Sequence, residues 1–357
     1  IHQMNTKFLI FSVFYFYLSV FVLFAQVPQY YTNIDFTLQG DQLKDELSEL
    51  IIDTHTNLIP YTSSSTDTWD VLRISDLVDV DSNNVLLIYG YDDTDESTKN
   101  DRTRNIYSNQ SGSCIGYWNR EHVFAKSLAN PSLVTNQPGP GTDIHNLRSA
   151  DCQMNSTRNN RLFVSGSGNS GTSGSYFFPG DEFKGDVARI IMYMYLRYPS
   201  QCEPLNIGVG SSSYSTNGDM PNVFLDWNEE DPVSDFERNR NDVIYSYQGN
   251  RNPFIDNPYL AFKIWNGPVP LDSWGVLSSS DLLTQTVSVF PTITNDYLYI
   301  KGTNPSQRSV QIFNQLGQVL EFELNGDKID VSGLPKGLYI INIKVSSQSK
   351  LFKFLVY

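Results

Sequence analysis

Asn119-Arg120-Glu121-His122-Val123, followed 20 residues later by Asp143-Ile144-His145-Asn146-Leu147-Arg148, decides how this chain is read. The sequence has four histidines, and two of them fall in this short polar stretch. Glutamate beside histidine offers a hard oxygen ligand next to a base that titrates near neutrality. Asn155, Arg158 and Asn160 follow closely and add a neutral oxygen ligand and a phosphate clamp. Together these parts suit metal-assisted phosphodiester hydrolysis.

That chemistry needs an activated water, charge neutralisation in the transition state and help for the leaving oxygen. One divalent cation can supply the last two while a neutral histidine takes the water's proton. In a strand, Glu121 and His122 point to opposite faces. Both serve one site only if the strand ends or twists there, with Asn155 arriving from a following helix. Residues 151–162 can form that helix, with Asn155 sharing a face with Arg158 at i, i+3 and with Asn159 at i, i+4. Arg148 and Arg158 are candidates for bidentate phosphate contact. Spacing alone equally allows a surface Glu-His pair and an asparagine that merely caps a helix.

Outward from the motif, 357 residues imply two or three domains with a full core. Abundant Tyr and Phe with only 18% charged residues mark a globular chain. The net charge of -14 argues against a nucleic-acid partner, but its distribution does not. Residues 35–99 carry fifteen acids against three Lys/Arg, whereas residues 101–161 carry seven Lys/Arg against four acids. The motif region is thus locally basic on an acidic protein, which suits weak, salt-sensitive binding of long nucleic acid. Cys114, Cys152 and Cys202 match no zinc spacing. Cys114 and Cys152 flank the motif, leaving a disulfide and two buried thiols both open.

Met4, Lys7 and the apolar run from Phe8 to Phe24 read as a signal peptide over residues 1–25, with an uncleaved anchor as the alternative. Leu43, Leu47, Leu50 and Ile51 predict a helix over 41–52, and 69–76 reads as a short helix or turn. Val85 to Tyr89 reads as a buried strand, and the Gly/Ser/Asn-rich 166–174 as a flexible loop. Asp181 is expected to cap a long helix ending before Pro199. Arg189 lies on its apolar face, so it either pairs with a buried carboxylate or reaches the site. Residues 227–232 and 248–256 read as polar turns on the rim of a cleft. Beyond about 278 short alternating strands appear, at 287–290, 297–300, 310–313, 319–324, 338–345 and 351–356. They predict a small all-β sandwich with no catalytic residues.

Asn119-Arg-Glu-His-Val-Phe124 with Lys126-Ser127, then Asp143 to Arg148, then Asn155-Ser-Thr-Arg158-Asn-Asn160, resembles the bacterial endonuclease I family. Lys184-Gly-Asp-Val-Ala-Arg189 and Gln248 to Asp256 extend the resemblance over roughly residues 30–272. The sequence departs from the family pattern at Ala125 and Ser149, where proline is common. The resemblance implies an α+β endonuclease I-like fold with a ββα-metal (His-Me finger) core over residues 30–275. It implies His122 as general base, with Glu121 and Asn155 binding Mg²⁺, or else Ca²⁺ or Mn²⁺. Arg148 and Arg158 are the further catalytic candidates, and Arg120, Asn146, Asn160 and Arg189 the expected substrate contacts. Asp143 and His145 are expected to support the site, with His145 as a rival base. The expected reaction is cleavage of DNA, with RNA an alternative substrate as often in the family, with little sequence preference and 5′-phosphate products, by a monomer.

Val289-Phe-Pro291, Asp296 to Ile300, Gln315-Leu-Gly317-Gln318, Leu334 to Tyr339 and Lys353-Phe354 resemble the type A sorting domain of type IX secretion cargo. That resemblance implies a 276–286 linker, a sorting domain over 287–357, the type IX machinery as partner, and a secreted or surface location without a stable membrane span. Two other classes stay open: a degenerate nuclease fold kept as a surface binding protein or adhesin, and a Ser/His hydrolase using Ser127 or Ser149. No nucleophile-elbow sequence supports the latter.

Overall fold

The computed structural model describes residues 27–109, 113–276, 288–302, 308–315, 317–345 and 348–357. The expected signal segment lies outside these residues, as does the linker beyond residue 276. Helix α1 (Gly40–Asp53) forms where the leucine spacing predicts, burying Leu43, Leu47 and Ile51. Helix α2 (Thr68–Ser75) follows a reciprocal cap in which Asp67 accepts from Trp69 and Asp70 backbone N–H groups. Strand β1 (Asn84–Leu86) pairs antiparallel with β2 (Thr103–Asn105). It is shorter than expected, because Tyr89 takes a left-handed φ of 74° and the ladder cannot continue through it.

The centre of the first domain is an antiparallel pair, β3 (Trp118–His122) with β4 (Leu147–Asp151), which runs directly into helix α3 (Cys152–Arg158). Asp151 caps α3 by accepting from Gln153 and Met154 N–H at 2.8 and 2.9 Å. A Cys114–Cys152 disulfide anchors its first residue, closing a loop with a sequence separation of 38. Such a loop contributes on the order of 4 kcal/mol on chain-entropy grounds. Cys202 is free and buried.

The 166–174 stretch is not wholly loop. Its end forms β5 (Gly171–Ser173), a hairpin with β6 (Tyr176–Phe178) turned at Gly174, whose φ is 60°. Helix α4 (Lys184–Arg197) begins later than expected and without a side-chain cap. Asp181 instead accepts from the Gly168 N–H at 2.6 Å, tying the hairpin's approach to the helix. Residues expected as turns around Trp227 belong to α5 (Asn222–Glu230), which packs on α4. The polar α6 (Asp235–Gln248) starts with a Ser234/Glu237 capping box. It leads to α7 (Pro253–Asp256) and α8 (Tyr259–Trp265). The 248–256 segment is only partly rim: Gln248, Asn250 and Asn252 are fully buried and hydrogen-bond neighbouring backbone and side chains, whereas Arg251, Ile255 and Asp256 line a cleft with Glu229 and Pro232.

The second domain holds β7 (Ser288–Phe290), β8 (Tyr297–Lys301), β9 (Arg308–Phe313), β10 (Val319–Leu320), β11 (Glu323–Asn325), β12 (Lys328–Asp330), β13 (Gly337–Val345) and β14 (Gln348–Val356). They form two four-stranded sheets, ordered β10-β9-β13-β14 and β11-β12-β8-β7. The single strand expected over 319–324 is split between the two sheets. A core including Leu298, Ile312, Ile329 and Ile341 lies within this domain. Among the described residues no helix is long and apolar enough to cross a membrane.

Candidate active site

Strand β3 ends at His122, which resolves the alternation problem: Glu121 and His122 both line one cleft of about 530 Å³. Asn155, one turn into α3, lines it too, as do Asn160 and Lys126. The ββα arrangement therefore gathers the three residues proposed from the motif.

His122 Nε2 lies 2.8 Å from the Gly141 carbonyl oxygen. A carbonyl only accepts, so Nε2 carries the proton and Nδ1 keeps the lone pair. Gly141 is needed for this contact, because a Cβ there would sit 2.0 Å from the Val134 carbonyl oxygen. Burial holds the His122 pKa down at about 3, with the Gly141 bond pulling the other way. The imidazole is therefore neutral, as a base must be. Tyr61 stacks against it with ring centroids 5.7 Å apart.

Glu121 is buried, and burial pushes its carboxyl up to about 7 against the lowering pull of Arg158 and Tyr89. Both partners hold one oxygen: Tyr89 Oη donates to Oε1 at 3.1 Å and Arg158 Nη1 sits 3.2 Å from it. Burial, and then the Glu121 charge, push the Tyr89 phenol well above the ordinary tyrosine value, so it remains a donor. Asn155 Nδ2 donates to Asn119 Oδ1 at 2.8 Å, which turns the Asn155 amide and leaves Oδ1 as its acceptor. A carboxylate and an amide oxygen form the hard-oxygen set that Mg²⁺, Mn²⁺ or Ca²⁺ favours, so these residues fit such a cation.

The expected arginines divide sharply. Arg148 is not in the cleft; it is buried against Asp186, with Nη1 at 2.6 Å from Oδ2, and lies beneath Phe236. Its cross-strand partner is Glu121, so the two share a face of the pair, but its guanidinium is spent on Asp186 and does not line the cleft. Arg189 is likewise interior, held by both Glu237 oxygens at 2.6 and 2.8 Å. Arg158 touches the cleft, but its guanidinium also donates to the carbonyls of His122, Val123 and Asn159. It braces Glu121 and the end of β3. Arg120 is sandwiched between Tyr61 and Trp69, with its guanidinium carbon 3.4 and 4.1 Å from the ring centroids.

Asn146 is no substrate contact either: fully buried, it accepts from Phe124 N–H and donates to Phe124 O, fixing the chain just past His122. Asp143 accepts from Tyr193, Tyr198 and Gln248. His145 is fully buried beside Tyr193 with Nε2 near the Asn250 carbonyl, outside the cleft, which removes it as rival base. Asn160 is exposed and donates to Ser127 Oγ at 3.2 Å. Lys126 is exposed in the cleft, and among the described residues none of the ion pairs that occupy the arginines includes it.

Tyr61, Tyr89, Asn119 and Gly141 were not among the expected site residues. Asn119 opens the quoted motif. Gly141 sits in a Pro/Gly-rich run that reads only as loop, and the two tyrosines have no local signature at all.

The sequence model for Endonuclease I matches residues 39–259, and that for a secretion system C-terminal sorting domain matches residues 288–357. The chain is 40% identical over 253 residues to an extracellular ribonuclease of Bacillus subtilis (strain 168), covering 68% of this chain and 80% of that protein. It is 40% identical over 237 residues to an extracellular ribonuclease of Bacillus amyloliquefaciens, covering 63% and 74%.

Proposed function

Since the chain belongs to the endonuclease I family and ends in a secretion sorting domain, we propose that it is an exported, metal-dependent endonuclease cutting RNA and DNA alike. The observation that carries this reading is the His122 tautomer at the end of β3, beside Glu121 and facing the same cleft as Asn155. Glu121 and Asn155 would hold a divalent cation. When bound, that cation neutralises charge on the phosphate and on the departing oxygen.

His122 Nδ1 takes the proton of a water as it attacks phosphorus, and the bond to the 3′ oxygen breaks, leaving a 5′-phosphate. The Gly141 carbonyl stabilises the imidazolium formed, through the Nε2 proton. Because the nucleophile is water, the 2′-hydroxyl is not required. That agrees with the ribonuclease relatives while keeping DNA as a substrate. Lys126 and Asn160 supply polar contact along the strand, whereas Tyr61 and Arg120, the latter stacked on Trp69, wall the cleft beside His122. The same premise makes residues 30–275 the catalytic unit and 287–357 the export unit.

Purified protein is expected to degrade both plasmid DNA and RNA, to stop in EDTA, and to leave 5′-phosphates on both. Cleavage that survives EDTA would reject the metal, and 2′,3′-cyclic phosphate ends on RNA would reject attack by water.

A pH effect follows from Glu121. Its folded value of about 7 exceeds its ordinary 4.5, so the folded metal-free protein binds the extra proton between those values. Metal-free stability from this group is therefore fully present below 4.5 and is lost as pH rises through 7. Metal must displace the same proton, so apparent Mn²⁺ affinity should fall up to about tenfold per pH unit below 7. Titration calorimetry between pH 5.5 and 8, with melting in EDTA as the second readout, checks both signs. A flat Mn²⁺ affinity across that range would show that Glu121 is already ionised in the metal-free protein, against the raised value.

A further inference from the structure

We infer that Tyr89 is a positioning residue of this nuclease, holding the Glu121 carboxylate in the orientation that accepts the cation. The inference rests on the proposed metal role of Glu121 and adds a residue to it.

Three observations meet at Tyr89. Its φ of 74° lies in the left-handed region, and the other two non-glycine residues with positive φ among those described are asparagines, which tolerate it. For a bulky aromatic such a conformation is strained and persists only where surroundings enforce it. Those surroundings are explicit. Ile88 N–H donates to the Ser149 carbonyl at 2.8 Å, docking this segment beside β4. Gly90 then packs so closely on the next loop that a Cβ would lie 2.2 Å from the Asp101 carbonyl oxygen. Ser170 Oγ donates to the Tyr89 carbonyl at 2.5 Å, and the Tyr89 ring meets Phe177 edge-on at 5.0 Å.

The second observation is where this contortion points the side chain. Tyr89 is fully buried, and its hydroxyl reaches across to Glu121 Oε1. The third is the division of labour on that carboxylate. Tyr89 and Arg158 approach the same oxygen from the turn after β1 and from helix α3. Two donors on one oxygen fix the carboxylate plane and direct the other oxygen as the ligand. Arg158 also neutralises charge; Tyr89 is a neutral donor that adds direction and favours the ionised carboxylate by its hydrogen bond. Outer contacts of this kind typically alter metal affinity by roughly 10–100-fold when removed.

The test uses full-length protein and Mn²⁺ alone. Tyr89→Phe keeps the ring against Phe177 and deletes the hydroxyl. Its Mn²⁺ Kd by calorimetry is expected to rise about tenfold or more, with melting in EDTA close to wild type. Half-saturating metal for cleavage should rise in parallel, while KM for nucleic acid and kcat at saturating metal hold. Ser170→Ala, on the partly exposed loop, loosens the Tyr89 backbone without touching the ring and should give a smaller shift of the same sign. Glu121→Gln is the reference. If it loses Mn²⁺ while Tyr89→Phe and Ser170→Ala bind like wild type, the role of Tyr89 is overturned and the ligand assignment stands. If Glu121→Gln itself binds normally, the metal reading fails and this inference with it.

Discussion

His122→Ala is expected to lower kcat by roughly 10²–10⁴-fold, the range for removing a positioned general base, while leaving Mn²⁺ binding and KM nearly unchanged. The geometry gives two controls. His122 faces the cleft with Nε2 already bonded to Gly141, so deleting the ring removes the proton acceptor and leaves Glu121 and Asn155 in place. The fold should survive, because Asn146 and Arg158 hold the adjoining backbone independently. His145→Ala should do the reverse. That ring is interior beside Tyr193, so the variant should melt earlier yet retain kcat per folded molecule. Single-turnover cleavage of supercoiled plasmid, normalised to folded protein, separates the two. If His122→Ala cut at the wild-type rate, water activation by this residue would be wrong.

Arg189→Ala should cost about 3–5 kcal/mol of stability, which for a domain of this size is a melting drop of roughly 6–20 °C. Its guanidinium is completely buried, bonded to both Glu237 oxygens and to the Asp231 carbonyl at 2.8 Å. Asp186 lies 3.9 Å away and is already pushed up to about 7, first by burial and next by Glu237. Removing the cation strands the Glu237 carboxylate in a low-dielectric interior beside Asp186, which keeps Arg148 as its partner. The loss comes from that unpaired charge, so Arg189→Leu combined with Glu237→Leu should be more stable than Arg189→Leu alone. Thermal melts of the three variants decide the point. A variant that melted normally but showed a raised KM would instead make Arg189 the substrate contact that its motif suggested.

These two residues show what could be read in one dimension. His122 and Glu121 are adjacent, and Asn155 follows within a single ββα unit, so their association is a local matter of strand end, capping by Asp151 and helix start. Leu43, Leu47 and Ile51 likewise announce α1 through 3.6-residue periodicity. The hairpin at 171–178 and helix α5 escaped because composition is a poor guide where tertiary packing overrides it. Gly/Ser-rich sequence still pairs when Phe177 and Phe178 have a core to enter.

The arginines make the sharper contrast. Motif context placed Arg148, Arg158 and Arg189 at the substrate, yet the fold gives each an anionic partner from another element. Asp186 on α4 takes Arg148, Glu237 on α6 takes Arg189, and Glu121 takes Arg158. A guanidinium's role depends on which carboxylate shares its low-dielectric surroundings, and that is a long-range property of packing. The same holds for Tyr89, 32 residues before Glu121, and for the Gly141 carbonyl that fixes the His122 tautomer. By itself the sequence determined the candidate site motif, the α+β domain followed by an all-β one, and the family, because those reside in neighbouring residues and regular spacing. Only the tertiary structure decided which charges face the cleft and which are buried as braces, because burial and partnership are set by segments that meet only when the chain has folded.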